Sequence, residues 1–197
     1  NLETGETYAD TITGVAPDLV WADDNKTLFY AENDPETLRT VRIKKHVLGT
    51  PVADDPLVYE EKDESFFMGV SRTGDDKFIC IDTGSHVSGE TRCAPAADPV
   101  KFIVLAPRQR DVEYNVDHIG DHWVIRTNAD GAENFKLMTA PDGASSRAEW
   151  KEWIAHRDDV FVEGFELFDG FTAISERSDA LERIRLVKAD GSEEYVK

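Results

Sequence analysis

The sequence predicts an all-β fold of about four four-stranded antiparallel blades, and three observations lead to this prediction. The apolar runs are short and rich in aromatic and β-branched residues, as expected of strands. Gly, Asp and Asn separate these runs in pairs, which is the pattern of strand–turn–strand hairpins. No window of 12 residues keeps the apolar spacing of an amphipathic helix, so a helical fold is disfavoured.

The hairpins recur at a nearly constant interval. Their second strands begin at equivalent apolar positions, 50, 45 and 48 residues apart: Leu28, Phe78, Trp123 and Phe171. Third strands are predicted at 40–46, 91–94, 134–138 and 183–187. Fourth strands are predicted at 57–60, 102–105, 150–154 and 194–196. One short stretch, 145–154, is compatible with a helical turn.

A repeat of four strands every 45–50 residues is typical of a β-propeller blade, which cannot bury its faces without neighbours. We expect blades at about 15–62, 63–107, 111–156 and 158–197, with residues 1–14 as the end of a preceding blade. Both ends of the sequence interrupt a strand pattern. The sequence therefore predicts a segment of a larger propeller rather than a closed ring of four blades.

Composition excludes several classes of function. The 197 residues include 22 Lys and Arg against 40 Asp and Glu, a formal net charge of −18. Such an acidic chain repels phosphate backbones, which argues against nucleic-acid binding. It favours cationic partners or serves solubility. No apolar run approaches the roughly 20 residues of a membrane helix, and no signal peptide is visible at the N-terminus.

Residues suited to hydrolytic chemistry do not form a convincing catalytic set. Ser71 follows a glycine in Gly-Val-Ser-Arg-Thr, but this string lacks the second glycine of a nucleophile elbow, and we interpret Ser71 as a turn residue. Glu163 and Glu166 resemble the carboxylate pair of a glycosidase. Positions three apart on a strand face opposite sides unless a bulge intervenes near Gly164. We therefore predict no catalytic residue in this chain.

Metal and thiol chemistry is also weakly supported. His118 and His122 flank the turn at Gly120 and are expected to point apart, so we predict no metal site. Cys80 and Cys93 are expected on adjacent strands, roughly opposite each other. Directly opposed β carbons are usually farther apart than a disulfide prefers. We therefore expect two reduced thiols in a blade core, which suits a reducing, cytosolic setting.

Several strings resemble oligopeptidase B, a family of prolyl-oligopeptidase-type serine peptidases also called protease II. They occur in order along nearly the whole chain, with the poorest fit at 85–100. They are VWADDN at 20–25, DPETLR at 34–39, VYEEKD at 58–63, EYNVDH at 113–118, HRDDV at 156–160, EGFELF at 163–168 and SERS at 175–178.

The resemblance implies a fold, an activity and a partner. It implies a seven-bladed propeller that caps an α/β-hydrolase domain of the same chain, and that domain would carry the Ser-Asp-His triad. The family cleaves short peptides after Arg or Lys and uses no cofactor. The propeller would restrict access, so that only small peptides reach the triad. A cytoplasmic location is expected from the reduced thiols and not from the resemblance.

The resemblance also implies which loops face the catalytic domain, namely those between second and third strands. We place these loops at 32–39, 82–91, 127–134 and 175–183. A solvated loop charge is the simpler explanation for each residue there, since exposed ion pairs stabilise little. The candidate chamber-rim or interdomain residues are Glu32, Asp34, Glu36, Arg39, Asp82, His86, Glu90, Asn128, Glu176 and Arg177.

Two other functions remain open at this stage. One is a stand-alone acidic propeller that binds proteins or peptides as a scaffold, and the other is an enzyme whose site is built from propeller loops. A longer gene with a downstream nucleophile elbow would favour the peptidase. As a segment, the chain would leave two blade faces open, bearing side chains from runs such as Val20-Trp21, Phe29-Tyr30, Phe171 and Ile174. We therefore expect the isolated segment to self-associate.

Overall fold

The computed structural model describes residues 1–196, and over this range sixteen strands form four antiparallel four-stranded sheets. In each sheet the strands follow one another in chain order. The predicted all-β propeller segment of four four-stranded blades is confirmed. The first blade comprises β1 (Val15–Trp21), β2 (Thr27–Asn33), β3 (Thr40–Val47) and β4 (Leu57–Glu60). The second comprises β5 (Phe67–Arg72), β6 (Phe78–Gly84), β7 (Gly89–Pro95) and β8 (Ile103–Val104).

The remaining strands form the third and fourth blades. The third comprises β9 (Tyr114–Ile119), β10 (His122–Thr127), β11 (Lys136–Pro141) and β12 (Lys151–Ile154). The fourth comprises β13 (Phe161–Phe168), β14 (Phe171–Ser178), β15 (Leu181–Lys188) and β16 (Glu193–Tyr195). Within the described residues, three short 3₁₀ turns lie in the connections between strands, at Val52–Asp54, Ala129–Gly131 and Arg147–Glu149. The last of these lies within the stretch expected to form a helical turn.

The chain divides into two compact units. The first contains Asn1–His86 and Thr91–Ile103, and the second contains Val87–Glu90 and Val104–Lys197. In the first unit, alternate residues of the central strands face a core whose largest members are Phe29, Ile43, Ile79 and Ile81, each with no exposed surface. The period of two along each strand places Phe29 and Ile43 on one face of the first sheet, and Ile79 and Ile81 on one face of the second.

One apolar cluster of the second unit lies beside a buried cation. Leu137, Val162 and Ile174 pack together with Phe135 and Val187. The Arg126 guanidinium lies 3.5 Å from the centre of the Phe135 ring, and its Nε donates to the Val162 carbonyl at 2.7 Å. Burial lowers the pKa of Arg126, although Glu113 and Glu163 oppose this effect. The stacked ring and the carbonyl replace part of the hydration that the cation loses.

The connection between β14 and β15 is a two-residue turn. Asp179 and Ala180 both have positive φ, at 52° and 62°. A turn with two residues of positive φ matches the twist of antiparallel strands and keeps the hairpin tight. The loop expected at 175–183 is therefore wrong in extent, because strand pairing continues as far as Ser178 opposite Leu181.

The two cysteines form a disulfide, so the expectation of reduced thiols is wrong. Cys80 on β6 and Cys93 on β7 are both buried and bonded to each other. Their Cα atoms lie 4.1 Å apart, closer than the roughly 4.5 Å of a non-hydrogen-bonded antiparallel pair. We expected the facing β carbons to be too far apart for a disulfide. The two strands lie closer than usual at this pair of residues, which brings the two sulfur atoms within bonding distance.

The two histidines near Gly120 lie on opposite faces of their hairpin, as expected. His118 is fully buried beside Trp123, and its Nε2 lies 2.9 Å from Asp142 Oδ1. His122 is 43% exposed and contacts Asp121. Within residues 1–196, no three His, Cys, Asp or Glu side chains are grouped as metal ligands. Over the same residues, no helix has the length and apolar character needed to cross a membrane.

Candidate functional site

The candidate site is the end of each blade at which the second strand passes to the third, which we call the loop edge. In the first unit it contains the loops at 34–39 and 85–86, and in the second the loops at 87–88, 128–135 and 179–180. The opposite end of each blade, where the first strand turns into the second, is called the turn edge. The two edges lie at opposite ends of the same strands.

Arg39 stabilises the loop edge of the first unit through hydrogen bonds to the backbone. Its guanidinium donates to the carbonyl oxygens of Phe66 at 3.2 Å, Asp63 at 3.4 Å and Glu61 at 3.5 Å. These three carbonyls belong to the connection between β4 and β5. Because a guanidinium offers five donors in a planar fork, one side chain can hold several backbone oxygens. Arg39 therefore fixes the loop at 34–39 to the chain that enters the second blade.

Asp34 shapes this loop from within. Its Oδ1 accepts hydrogen bonds from the Thr37 amide at 2.8 Å and the Glu36 amide at 3.0 Å. These bonds lower the pKa of Asp34, with the Thr37 amide as the largest cause. The turn holds Leu38 at a φ of 59°, a conformation that non-glycine residues seldom adopt. The loop is therefore fixed by local hydrogen bonds despite its exposure.

A cleft of about 500 Å³ opens beside the same loop. Two apolar side chains on its wall are strongly exposed, Leu38 at 73% and Phe67 at 66%. Asp34 and Glu64 supply negative charge to the wall. Exposed large apolar groups beside acidic ones make this cleft suitable for contact with another protein surface or a peptide. We call it the first-unit cleft.

Glu32 lies on β2 rather than in the loop. Its two carboxylate oxygens bond to Lys44 Nζ at 2.8 Å and to Arg42 Nη1 at 3.0 Å, and Arg42 also binds Glu60 at 2.9 Å. The two cations outweigh the effect of burial and lower the pKa of Glu32. Glu32 thus belongs to a cross-strand ion network of the first blade, whereas Glu36 is exposed at the loop.

Asp82 is also a strand residue, and it forms hydrogen bonds within the second blade. Its carboxylate accepts from Thr91 Oγ1 at 2.6 Å and from Ser71 Oγ at 3.2 Å. Burial raises the pKa of Asp82, and the two hydroxyl groups partly oppose that effect. The Ser71 hydroxyl is thereby engaged on β5, so Ser71 is a strand residue and not the turn residue expected. His86 is exposed in the loop that follows β6.

In the second unit, Glu90 and Asn128 both hold backbone in place. Glu90 is buried on β7, and its Oε2 accepts from the Arg108 amide at 3.0 Å. Asn128 accepts from the Glu113 amide at 2.8 Å and donates to the Asp111 carbonyl at 3.3 Å. Both side chains are therefore used to hold backbone segments in place.

Asn134 repeats in the third blade the role that Arg39 has in the first. Its Nδ2 donates to the carbonyls of Asp158 at 2.8 Å and Arg157 at 3.1 Å, which lie in the connection from β12 to β13. A cleft of about 560 Å³ lies beside it, with Glu133 and Asp158 in its wall. We call this the second-unit cleft. Its wall also includes His156, a half-buried side chain.

Glu176 and Arg177 are neighbours on β14 but lie on opposite faces. Glu176 is buried and binds Arg185 and Tyr195. Arg177 is half exposed and pairs with Glu163 and, at 3.6 Å, with Glu182. Glu163 occupies the irregularity between Val162 and Gly164, so the bulge needed for a carboxylate pair exists. Its carboxylate is nevertheless committed to Arg177, and Glu166 is exposed elsewhere on β13.

The structure therefore separates the ten candidate residues into two groups. Asp34, Glu36, Arg39, His86 and Asn128 lie in loop-edge loops. The other five lie on strands: Glu32, Asp82, Glu90, Glu176 and Arg177. The structure brings Asp34 and Arg39 to one cleft. Whether any of these residues faces a catalytic domain stays a prediction.

Sequence reasoning missed the apolar part of the first-unit cleft. A signal was present, because Phe66, Phe67 and Met68 are three consecutive apolar residues at the start of a strand. In a strand with one buried face, such a run must expose at least one member. Phe66 and Met68 are buried, and Phe67 is the exposed residue.

Comparison with known proteins identifies the family. A family model described as the N-terminal β-propeller domain of prolyl oligopeptidase matches residues 1–197. The chain belongs to this family. It is 64% identical over 197 residues to a dipeptidyl aminopeptidase BI of Pseudoxanthomonas mexicana, covering 100% of this chain and 27% of that protein. It is 32% identical to Protease 2 of Moraxella lacunata, covering 72% of this chain and 21% of the relative.

Solved structures agree with this assignment. Oligopeptidase B from Leishmania major matches with a TM-score of 0.91 and 29% identity, covering 100% of this chain and 29% of that one. The resemblance to oligopeptidase B is confirmed, and the chain corresponds to a partial N-terminal segment of its larger relatives. The relatives are peptidases, and the chain spans 21–29% of the length of the three named here.

Proposed function

We propose that this chain is the propeller segment of a serine oligopeptidase and that its loop edge faces the catalytic domain of the same parent chain. The observation that carries the proposal is the family match over all 197 residues, in a chain that spans only 27% of its 64%-identical relative. The first-unit cleft supports the proposed orientation, because Leu38 and Phe67 are apolar groups that a second domain would cover.

We further propose that the segment filters substrates by size and charge. The net charge of −18 and the acidic walls of both clefts support a preference for cationic peptides, because an acidic surface raises the local concentration of cations. Glu36 in the loop at 34–39 and Glu64 on the wall of the first-unit cleft are both exposed. These two residues suit the role, because their charges are open to solvent and approaching peptides.

Two activities are candidates for the parent protein. Cleavage of short peptides after Arg or Lys follows from the resemblance to oligopeptidase B. Removal of dipeptides is favoured by the name of the relative that is 64% identical. Both require a nucleophile outside residues 1–197, and neither role needs a cofactor. The isolated segment is therefore proposed to be inactive.

The location of the protein is a separate proposal. Reduced cysteines would favour the cytoplasm, whereas the Cys80–Cys93 disulfide favours an oxidising compartment, because cytosolic reductants keep thiols reduced. Thiol labelling in denaturant, after the native cells are quenched with acid, separates the two because it makes the buried cysteines accessible. Labelling of both cysteines without prior reduction supports the cytoplasm, and labelling only after reduction supports an oxidising compartment.

The test of the filtering role uses the longer parent protein with charge-removing variants. Glu64→Gln and Glu36→Gln should raise KM for a peptide substrate with added lysines, leave kcat unchanged, and leave a neutral peptide unaffected. The effect should shrink with added salt, since the Debye length falls to about 8 Å near physiological ionic strength. Asp169→Asn, the same charge change at the turn edge of the fourth blade, is the matched control. Equal effects of all three variants would contradict the proposal.

Two substrates distinguish the candidate activities in the same protein. A peptide with a blocked N-terminus and an internal Arg is cleaved only by an endopeptidase. A dipeptide joined through its carboxyl end to a chromophore, with a free N-terminus and no Arg or Lys, reports dipeptide release. Activity on the second substrate alone would show that the parent removes dipeptides.

A further inference from the structure

His46 of β3 lies between two carboxylates. Its Nδ1 is 2.8 Å from Asp55 Oδ1, and its Nε2 is 3.1 Å from Asp10 Oδ1. The imidazole is 1% exposed, and the Asp55 side chain is 2% exposed. A neutral imidazole has one N–H, whereas both of these contacts need a donor on the ring. The geometry therefore fits the doubly protonated, cationic ring.

The two carboxylates differ in how firmly they are held. Asp55 is buried, and its second oxygen accepts from Tyr30 Oη at 3.0 Å. Asp10 belongs to the segment before β1, and its Oδ1 also accepts from the Gly49 amide at 2.9 Å. In residues 1–10, the hydrogen bonds that reach the rest of the first unit are the two made by Asp10 Oδ1. Asp10 is thus the attachment point of this segment.

We propose that His46 and the Gly49 amide form a carboxylate-binding site on the outer face of the first blade, and that protonation of His46 decides whether Asp10 occupies it. Loss of one proton leaves a single N–H on the ring. Asp55, the more buried carboxylate, keeps it. Asp10 then faces a nitrogen lone pair, and residues 1–10 detach. A carboxylate from another molecule, such as an acidic peptide or a small carboxylic acid, needs the same ring N–H, so it can occupy the site only while His46 is cationic and in competition with Asp10.

The surrounding charges support this assignment. On the same face of β3, Lys44 is already paired with Glu32 at 2.8 Å, so it does not compete for Asp10. Burial alone lowers the pKa of His46, but the hydrogen bonds to Asp55 and Asp10 outweigh burial and the net pKa is raised. The backbone N–H of Gly49 and then His46 lower the pKa of Asp10.

The sign of the pH dependence follows from these directions. The raised pKa of His46 makes attachment fully effective below the ordinary histidine pKa of about 6.5, and attachment is lost as pH rises through the folded value. The lowered pKa of Asp10 makes attachment effective above about 3.9, and attachment is lost as pH falls through the folded value. The segment should therefore be held most firmly between these limits.

The test measures two quantities on the 197-residue chain by NMR as pH is varied. The ¹⁵N shifts of His46 report its protonation. Hydrogen exchange at the Gly49 amide, corrected for intrinsic exchange, reports whether Asp10 is bound. We expect a cationic His46 near pH 6 and, above its pKa, a Gly49 protection factor that falls about tenfold per pH unit, as release of one proton requires.

Variants distinguish a His46 that controls the attachment of Asp10 from a His46 that only stabilises the fold. Asp10→Asn removes the charge from an otherwise exposed segment and should fold normally, while making Gly49 protection independent of pH and lowering the His46 pKa. His122→Gln, which changes the exposed histidine near Asp121, should leave both readouts unchanged. A neutral His46 at pH 6, or Gly49 protection with the same pH dependence in wild type and Asp10→Asn, would overturn the proposal. At a pH where the ¹⁵N shifts show a cationic His46, added acetate should protect Gly49 in an Asp10→Ala variant, and absence of that protection would overturn access by external carboxylates.

Discussion

Glu176 and Arg185 form a buried diagonal ion pair between β14 and β15. Glu176 Oε1 accepts from Arg185 Nε at 2.9 Å, and the side chains are 2% and 8% exposed. Glu193 completes the environment of the cation at 3.0 Å, and Tyr195 donates to the other Glu176 oxygen. Burial favours the neutral form of Arg185, but hydrogen bonds to Glu193 and Glu176 raise its pKa overall.

This pair predicts a stability defect and not a defect in substrate handling. Glu176→Ala should lower the free energy of unfolding by about 3 kcal/mol, the lower end of the range for breaking a buried pair, because Glu193 still neutralises Arg185. Urea denaturation measures the change. Replacing both partners, as Glu176→Leu with Arg185→Met, should cost less than Glu176→Ala alone. An equal or larger loss in the double variant would show that packing, rather than charge, dominates here.

The disulfide predicts a stability that depends on redox conditions. Cys80→Ala with Cys93→Ala should lower the free energy of unfolding by about 2–4 kcal/mol, because the unfolded chain regains the freedom that the cross-link removes. Dithiothreitol should destabilise the wild-type chain and leave the double variant unaffected. If the reductant shifts both equally, the cross-link does not contribute to stability.

Asp34 predicts an acid-sensitive loop. Its pKa is lowered by hydrogen bonds from the Thr37 and Glu36 amides. The stabilisation is therefore present above the ordinary aspartate pKa of about 3.9 and is lost as pH falls through the lower, folded value. The amide shifts of Thr37 should titrate in this acidic range. The Asp34→Asn variant should lack that titration, and Glu3→Gln, at an exposed position of the same unit, should retain it.

We expect no hydrolytic activity from Ser71 in the isolated chain. Its hydroxyl donates to the Asp82 carboxylate at 3.2 Å. On the described blade its hydrogen-bond partner is therefore a carboxylate and not the imidazole that would activate a serine nucleophile. The 197-residue chain should not hydrolyse Arg or Lys esters above background, and Ser71→Ala should not alter that background. Turnover that this substitution abolishes would show that a nucleophile lies in the propeller segment.

Open blade faces predict self-association that increases with salt. The outer face of the fourth blade exposes Ile184 at 45%, and the first blade exposes Trp21 at 39%. Apolar burial is worth about 25 cal/mol per Å² and persists in salt, whereas repulsion between chains of charge −18 is screened. Light scattering should show larger species at high salt, and Ile184→Lys should reduce them. A monomer at every salt concentration would instead favour the stand-alone scaffold.

The sequence was sufficient to predict the strands, because alternation and turn residues act locally. It also identified the four hairpins and the loops that contain Asp34 and Asn128. It misplaced Phe29, Tyr30 and Ile174, expected on open faces but buried, because a period of two does not reveal which face meets a neighbour. The His46 contacts could not be predicted either, since Asp10 and His46 are 36 residues apart.

The braces at Arg39 and Arg72 hold the first two blades together from opposite ends. Arg39 binds three carbonyls at the loop edge, and Arg72 donates to the Trp21 carbonyl at 2.8 Å at the turn edge. Backbone carbonyls are present whatever the side chains are, so the Arg39 contacts do not depend on the identity of the residues that Arg39 binds, whereas Arg72 also pairs with the Asp23 carboxylate. Mutations can accumulate in the segment that Arg39 binds while the blades keep their alignment, which leaves the adjoining surface free to acquire new specificities.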